Sequence, residues 1–136
     1  MSLVVDASMT VAWLFLGERS EVPQAALRRV VSNGALVPSL WRLEVADILR
    51  NAVRRKRCDG PYAARCLERL GRLPIVVDSE TNAHAWGRTR QLSDEHGLTV
   101  YDATYLELAI RRRLPLASCD TALIRVGGKA GVDVLG

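Results

Sequence analysis

Five short aliphatic runs, Leu3-Val5, Ala35-Val37, Ile75-Val77, Leu116-Ala117 and Val132-Leu135, recur along this 136-residue chain with stretches of helical periodicity between them. Short apolar runs alternating with helices predict a parallel sheet whose strands are joined by crossover helices. The punctuation agrees. Asn33-Gly34 precedes the second run, Leu73-Pro74 the third and Leu114-Pro115 the fourth, and each is a helix-ending signal. Aromatic residues make up only 5% of the chain while Leu, Val and Ala are plentiful, a balance that suits helices packed on a parallel sheet better than an all-β sandwich. The length allows one compact core and is short for two, and no linker, repeat or low-complexity segment interrupts it, so a single domain over residues 1–136 is expected.

Four acidic residues stand where these elements meet: Asp6 in VVDAS, Glu44 in SLWRLEVADIL, Asp102 in LTVYDATYLELA and Asp120 in LASCDTAL. Asp6 and Asp120 directly follow predicted strands, and ligands of open α/β sheets bind beyond the carboxyl ends of the strands. In the helix predicted over Leu40 to Arg55, Trp41, Val45, Ile48, Leu49 and Ala52 form the apolar stripe, with Glu44 at its margin and Asp47 nearly opposite. In the helix predicted over Asp102 to Arg113, Asp102 shares a face with Leu106 and Ala109, while Glu107 and Arg111 form an i,i+4 pair farther round. Any single Asp here could simply be an N-cap. Gathered at one sheet edge, the four would instead raise each other's pKa and call for shared protons or a hard cation such as Mg²⁺ or Mn²⁺. Ser8, Thr10, Ser118 and Thr121 flank the acidic positions and are placed either to hydrogen-bond a ligating carboxylate or bound water, or to cap locally.

Other chemistries lack their residues. No GxGxxG follows the first strand and no GxxxxGK[ST] occurs, so neither dinucleotide nor P-loop phosphate cradles are present. His84 and His96 lack zinc-ligand spacing, and His96 reads as a helix end. No Ser sits in a nucleophile elbow. Cys58, Cys66 and Cys119 are odd in number with no CxxC, which predicts reduced thiols in a cytoplasmic protein. The longest apolar run, Val11 to Leu16, is far below the roughly 20 residues a membrane helix needs, so no membrane association is expected. The net charge is +4. Basic clusters at Arg28-Arg29, Arg54-Arg57 and Arg111-Arg113 suit either RNA phosphates or helix C-terminal dipoles.

The segments VVDAS, VPSLWRLEVADIL, LSDEHGLTVYDATYLELAIRRRLPLASCDTAL and GVDVL together resemble PIN-domain ribonucleases, in particular VapC-type toxins of toxin-antitoxin modules. The resemblance implies a PIN-like α/β/α sandwich around a five-stranded parallel sheet. It equates Asp6, Glu44, Asp102 and Asp120 with the family's acidic set, as both catalytic and metal-binding residues. It also implies a Mg²⁺ (or Mn²⁺) centre, an RNA substrate of the tRNA or rRNA class, a homodimer and a cognate VapB-type antitoxin. The expected reaction is phosphodiester hydrolysis by a metal-activated water, with Glu44 either a ligand or the group that orients that water. Two rivals are a phospho-acceptor receiver domain and a PIN-fold RNA-binding module without catalysis. A receiver needs an acidic neighbour beside Asp6 and a lysine near Asp120, and neither is present.

Overall fold

The computed structural model describes residues 2–15 and 20–136. Leu16, the last residue of the longest apolar run, lies outside them. The strands are β1 (Leu3–Val5), β2 (Ala35–Val37), β3 (Ile75–Val77), β4 (Leu116–Ala117) and β5 (Val134–Leu135). All neighbouring pairs are parallel, in the order β3-β2-β1-β4-β5. The connecting helices are α1 (Ala7–Phe15), α2 (Glu21–Asn33), α3 (Trp41–Arg54), α4 (Gly60–Gly71), α5 (Thr81–His84), α6 (Arg90–His96), α7 (Val100–Arg112) and α8 (Thr121–Lys129). A wider-wound turn, Ala85–Thr89, joins α5 to α6 and kinks at Gly87. The five-stranded α/β expectation is therefore met.

The three central strands are apolar at every position because both their faces are covered; β1, β2 and β4 are wholly buried. The edge strand β3 is partly exposed, with Val76 turned to solvent. Two predicted boundaries shift. β5 begins at Val134 rather than Val132, since the Val132 amide is taken by the Gly127 carbonyl at the close of α8. The Asp102 helix begins at Val100 because Thr99 is its N-cap, accepting the Asp102 amide at 3.1 Å. The helix stop at Asn33-Gly34 holds: Gly34 takes φ 77°, which favours a residue without Cβ, and its amide closes on Val30.

One topological feature positions the site. Following β1 the chain builds outward through β2 and β3, and following β4 it builds the other way to β5, so the sheet order reverses between β1 and β4. Such a switch point opens a crevice beyond the carboxyl ends of the two strands. Asp6 follows β1 directly, and Ser118 and Asp120 follow β4.

Candidate active site

Asp6 is only 3% exposed and is held by three donors. The Met9 amide donates to Oδ1 at 2.9 Å, the Ser118 hydroxyl to Oδ2 at 2.6 Å, and the Ser8 hydroxyl lies 2.8 and 2.9 Å from the two oxygens. Asp6 is thus the cap of α1 as well as a candidate site residue. Its backbone carbonyl accepts from the Thr10 hydroxyl at 2.9 Å, and Thr10 in turn accepts from the Trp41 indole at 3.0 Å, which ties the start of α1 to the start of α3.

Ser118 joins two of the acidic positions. Besides reaching Asp6, its oxygen accepts the Asp120 amide at 3.0 Å. Asp120 caps α8, accepting the Leu123 amide at 2.9 Å. Ser8, Thr10 and Ser118 therefore hold Asp6, and Ser118 also the Asp120 backbone, whereas Thr121 makes no hydrogen bond to the four acids among the described residues.

Glu44 lies in the first turn of α3, half-buried beside the stripe of Trp41, Val45, Leu49 and Ala52, while Asp47 is exposed. The phase expected from sequence is correct. The Tyr105 hydroxyl, from fully buried Tyr105 on α7, donates to Glu44 Oε1 at 2.5 Å. Tyr105 was not singled out by sequence reasoning; its i,i+3 spacing from Asp102 on one helix face is the signal that could have found it. Asp102 itself is half-buried on the first turn of α7.

Burial raises the carboxyl pKa of Asp6, Glu44 and Asp102, and their mutual repulsion adds to it: Asp102 acts on Asp6 and Glu44, Asp6 on Glu44, and Asp120 on Asp102. The four carboxylates thus share one electrostatic environment. Among the described residues none of the four is ion-paired. Other buried acids in the same molecule are paired. Arg111 reaches Asp78 at 2.7 Å and Glu107 at 2.7 Å, and the guanidinium holds the Asp78 carboxyl below its ordinary range. The Glu107–Arg111 pair expected from sequence is present, but its partner Asp78, the residue after β3, was missed because it is 33 positions away. The four unpaired carboxylates offer only hard oxygen donors, which suits a divalent cation in charge and type. As they stand, no three acidic, His or Cys side chains among the described residues form a finished metal cage.

Residues 3–129 match the PIN domain family. This chain is a PIN-domain protein. It is similar to Ribonuclease VapC3 of Pyrobaculum aerophilum, 34% identical over 109 residues that cover 80% of this chain and 82% of that one. This places the chain among the VapC-type PIN proteins. The fold is shared with PAE2754 from Pyrobaculum aerophilum, at a TM-score of 0.71 and 22% identity over 99% of this chain and 84% of that one. It is shared also with VapC20 of Mycobacterium tuberculosis, described as a toxin cleaving the sarcin-ricin loop, at a TM-score of 0.65 and 17% identity over 96% of each chain. In this chain Asp6 directly follows β1, and Asp120 lies just beyond β4.

Proposed function

We propose that this PIN-domain protein is the toxin of a toxin-antitoxin pair, a Mg²⁺- or Mn²⁺-dependent endoribonuclease acting on tRNA or rRNA. The observation that carries the reading is the contrast between acids: Asp78 and Glu107 are neutralised by Arg111, whereas Asp6, Glu44, Asp102 and Asp120, linked by mutual repulsion, have no ion-pair partner among the described residues. Asp6, Asp102 and Asp120 would hold the ion, with Glu44 either joining them or orienting the attacking water. The bound ion would supply charge neutralisation at the phosphoryl group and a lowered water pKa. The chain's own residues do the positioning. Ser8, Ser118 and the Met9 amide aim the Asp6 carboxylate, and Tyr105 fixes one oxygen of Glu44, leaving the other for water or ion.

The same unpaired negative charge invites inhibition by a guanidinium or ammonium group. A VapB-type antitoxin placing Arg or Lys among the four carboxylates would compete with the metal. The apolar face of α1 is occupied by the protein's own core, since Ala12 is buried and Trp13, Leu14 and Phe15 pack against it. A homodimer remains part of the proposal through the family resemblance. The test is Asp6→Asn, assayed on RNA in Mn²⁺. Cleavage should fall by two orders of magnitude or more, about 2.7 kcal/mol of lost transition-state stabilisation, with the circular dichroism spectrum intact. Wild-type cleavage persisting in EDTA would rule out the metal reading.

A further inference from the structure

A cluster of carboxylates repels a polyanion, so a nuclease of this kind needs affinity for RNA from cations elsewhere on its surface. Charge in this chain is distributed accordingly. Residues 50–72 hold eight of the 19 Lys and Arg but only two of the 15 Asp and Glu, and the rest of the chain carries 11 cations against 13 acids. The positive net charge therefore belongs to one segment: the end of α3, the turn after it, and α4. Its two acids are already engaged. Asp59 caps α4, accepting the Tyr62 amide at 2.8 Å, and Glu68 pairs with Arg72 at 2.7 Å. Arg54, Arg55, Lys56, Arg57, Arg65 and Arg69 are all exposed, and among the described residues none of them is ion-paired.

Two of these guanidinium groups are stacked in place. Arg57 lies over the Phe15 ring at 4.9 Å and Arg65 over the Tyr62 ring at 5.9 Å, with the two rings 6.0 Å apart. The Tyr62 hydroxyl donates to the Leu14 carbonyl and so ties α4 to the end of α1. These residues line an open cleft of about 420 Å³. Stacking orders a planar guanidinium while leaving its N–H fork for a bidentate acceptor, and phosphate matches that fork.

The cleft has a defined relation to the carboxylates. Both α1 and α3 start at the acidic crevice, joined there by Trp41 and Thr10, and at their far ends Phe15 of α1 meets Arg57, just past α3. The length of α1, at 1.5 Å per residue, puts Phe15 about 14 Å from Asp6, farther than one nucleotide step of a strand. We infer that this cleft is a second RNA contact, in which Arg57 and Arg65 grip a backbone phosphate outside the scissile dinucleotide and the Arg54–Lys56 run neutralises its neighbours. The inference rests on the ribonuclease reading.

The experiment pairs binding with cleavage. In EDTA, anisotropy of an end-labelled stem-loop RNA should show Arg57→Glu/Arg65→Glu binding about tenfold or more weaker than wild type, with the slope of log affinity against log salt shallower by about two. If that pair melts early, Arg57→Gln/Arg65→Gln serves instead and should show the same direction. In Mn²⁺, kcat/KM on the stem-loop should fall with the binding, while turnover of a dinucleotide too short to reach the cleft stays at the wild-type level. Unchanged RNA affinity in a folded double variant, or an equal loss on both substrates, overturns the inference. So does a cleft that binds a polyglutamate peptide through these arginines but not the RNA. Failure of the ribonuclease reading looks different: wild type cuts neither substrate, and the EDTA binding measurement still decides the fate of the cleft.

Discussion

Asp6 and Asp78 are both buried aspartates immediately beyond parallel strands, yet they depart from the ordinary carboxyl range in opposite directions. For Asp78, Arg111 outweighs burial, so the carboxylate form is favoured by folding. Its contribution is present above the unfolded pKa near 3.8 and is lost as pH falls through the lower folded value. For Asp6, Glu44 and Asp102, burial and mutual repulsion favour the protonated form. Their contribution is full below their unfolded values and is lost as pH rises through the raised folded ones. Metal-free Asp102→Asn should therefore melt higher than wild type at neutral pH, with the advantage disappearing below about pH 4, where both are neutral. Asp78→Asn should melt lower at neutral pH, with the deficit shrinking in acid. Thermal melts of the two variants across pH check both signs; a shared sign would show that the acidic crevice carries no unrelieved charge.

At the scale of elements, α3 and α7 carry most of the consequences. The phase of α3 sets Glu44 against Tyr105 and leaves Asp47 in solvent, so Glu44→Gln should reduce RNA cleavage by roughly two orders of magnitude while Asp47→Asn stays near wild type. Steady-state rates on one RNA compare them directly, and equal effects would contradict the face assignment. At the other end of α7, Arg111 is the joint that ties the helix to the end of β3 through Asp78, and to its own preceding turn through Glu107. Removing one partner of a buried pair leaves the other charge stranded, so Arg111→Ala should cost roughly 3 kcal/mol or more in denaturant unfolding. Adding Asp78→Asn should recover part of that loss, because the stranded carboxylate is then gone. Strict additivity of the two changes would mean the residues do not act on each other.

For the whole molecule, the proposed cation should be linked to folding through the unpaired carboxylates. An ion that binds the native crevice and not the unfolded chain should raise Tm, by an amount equivalent to about 2.7 kcal/mol at a hundredfold excess over Kd. Calorimetric melts in Mn²⁺ against EDTA should show the increase, and Asp6→Asn should remove most of it. Much of this architecture is legible in the sequence, because strand runs and helix stripes are local patterns. Leu3–Val5, Ala35–Val37, Ile75–Val77 and Leu116–Ala117 fall where the aliphatic runs lie, and α3 follows its apolar stripe. The four candidate acids could also be chosen locally, from their places at strand and helix ends. Which acids are left without a cation could not be chosen that way. Asp78 looks as well placed after β3 as Asp6 does after β1, and only the folded chain brings Arg111 to one and the distant Ser118 hydroxyl to the other. The sheet order that puts β1 beside β4, the Tyr105 bond to Glu44 across 61 positions, and the meeting of Phe15 with Arg57 are likewise tertiary facts. Periodicity along the chain records which face of an element is buried; the identity of the neighbour across that face depends on packing between distant segments, which no local pattern encodes.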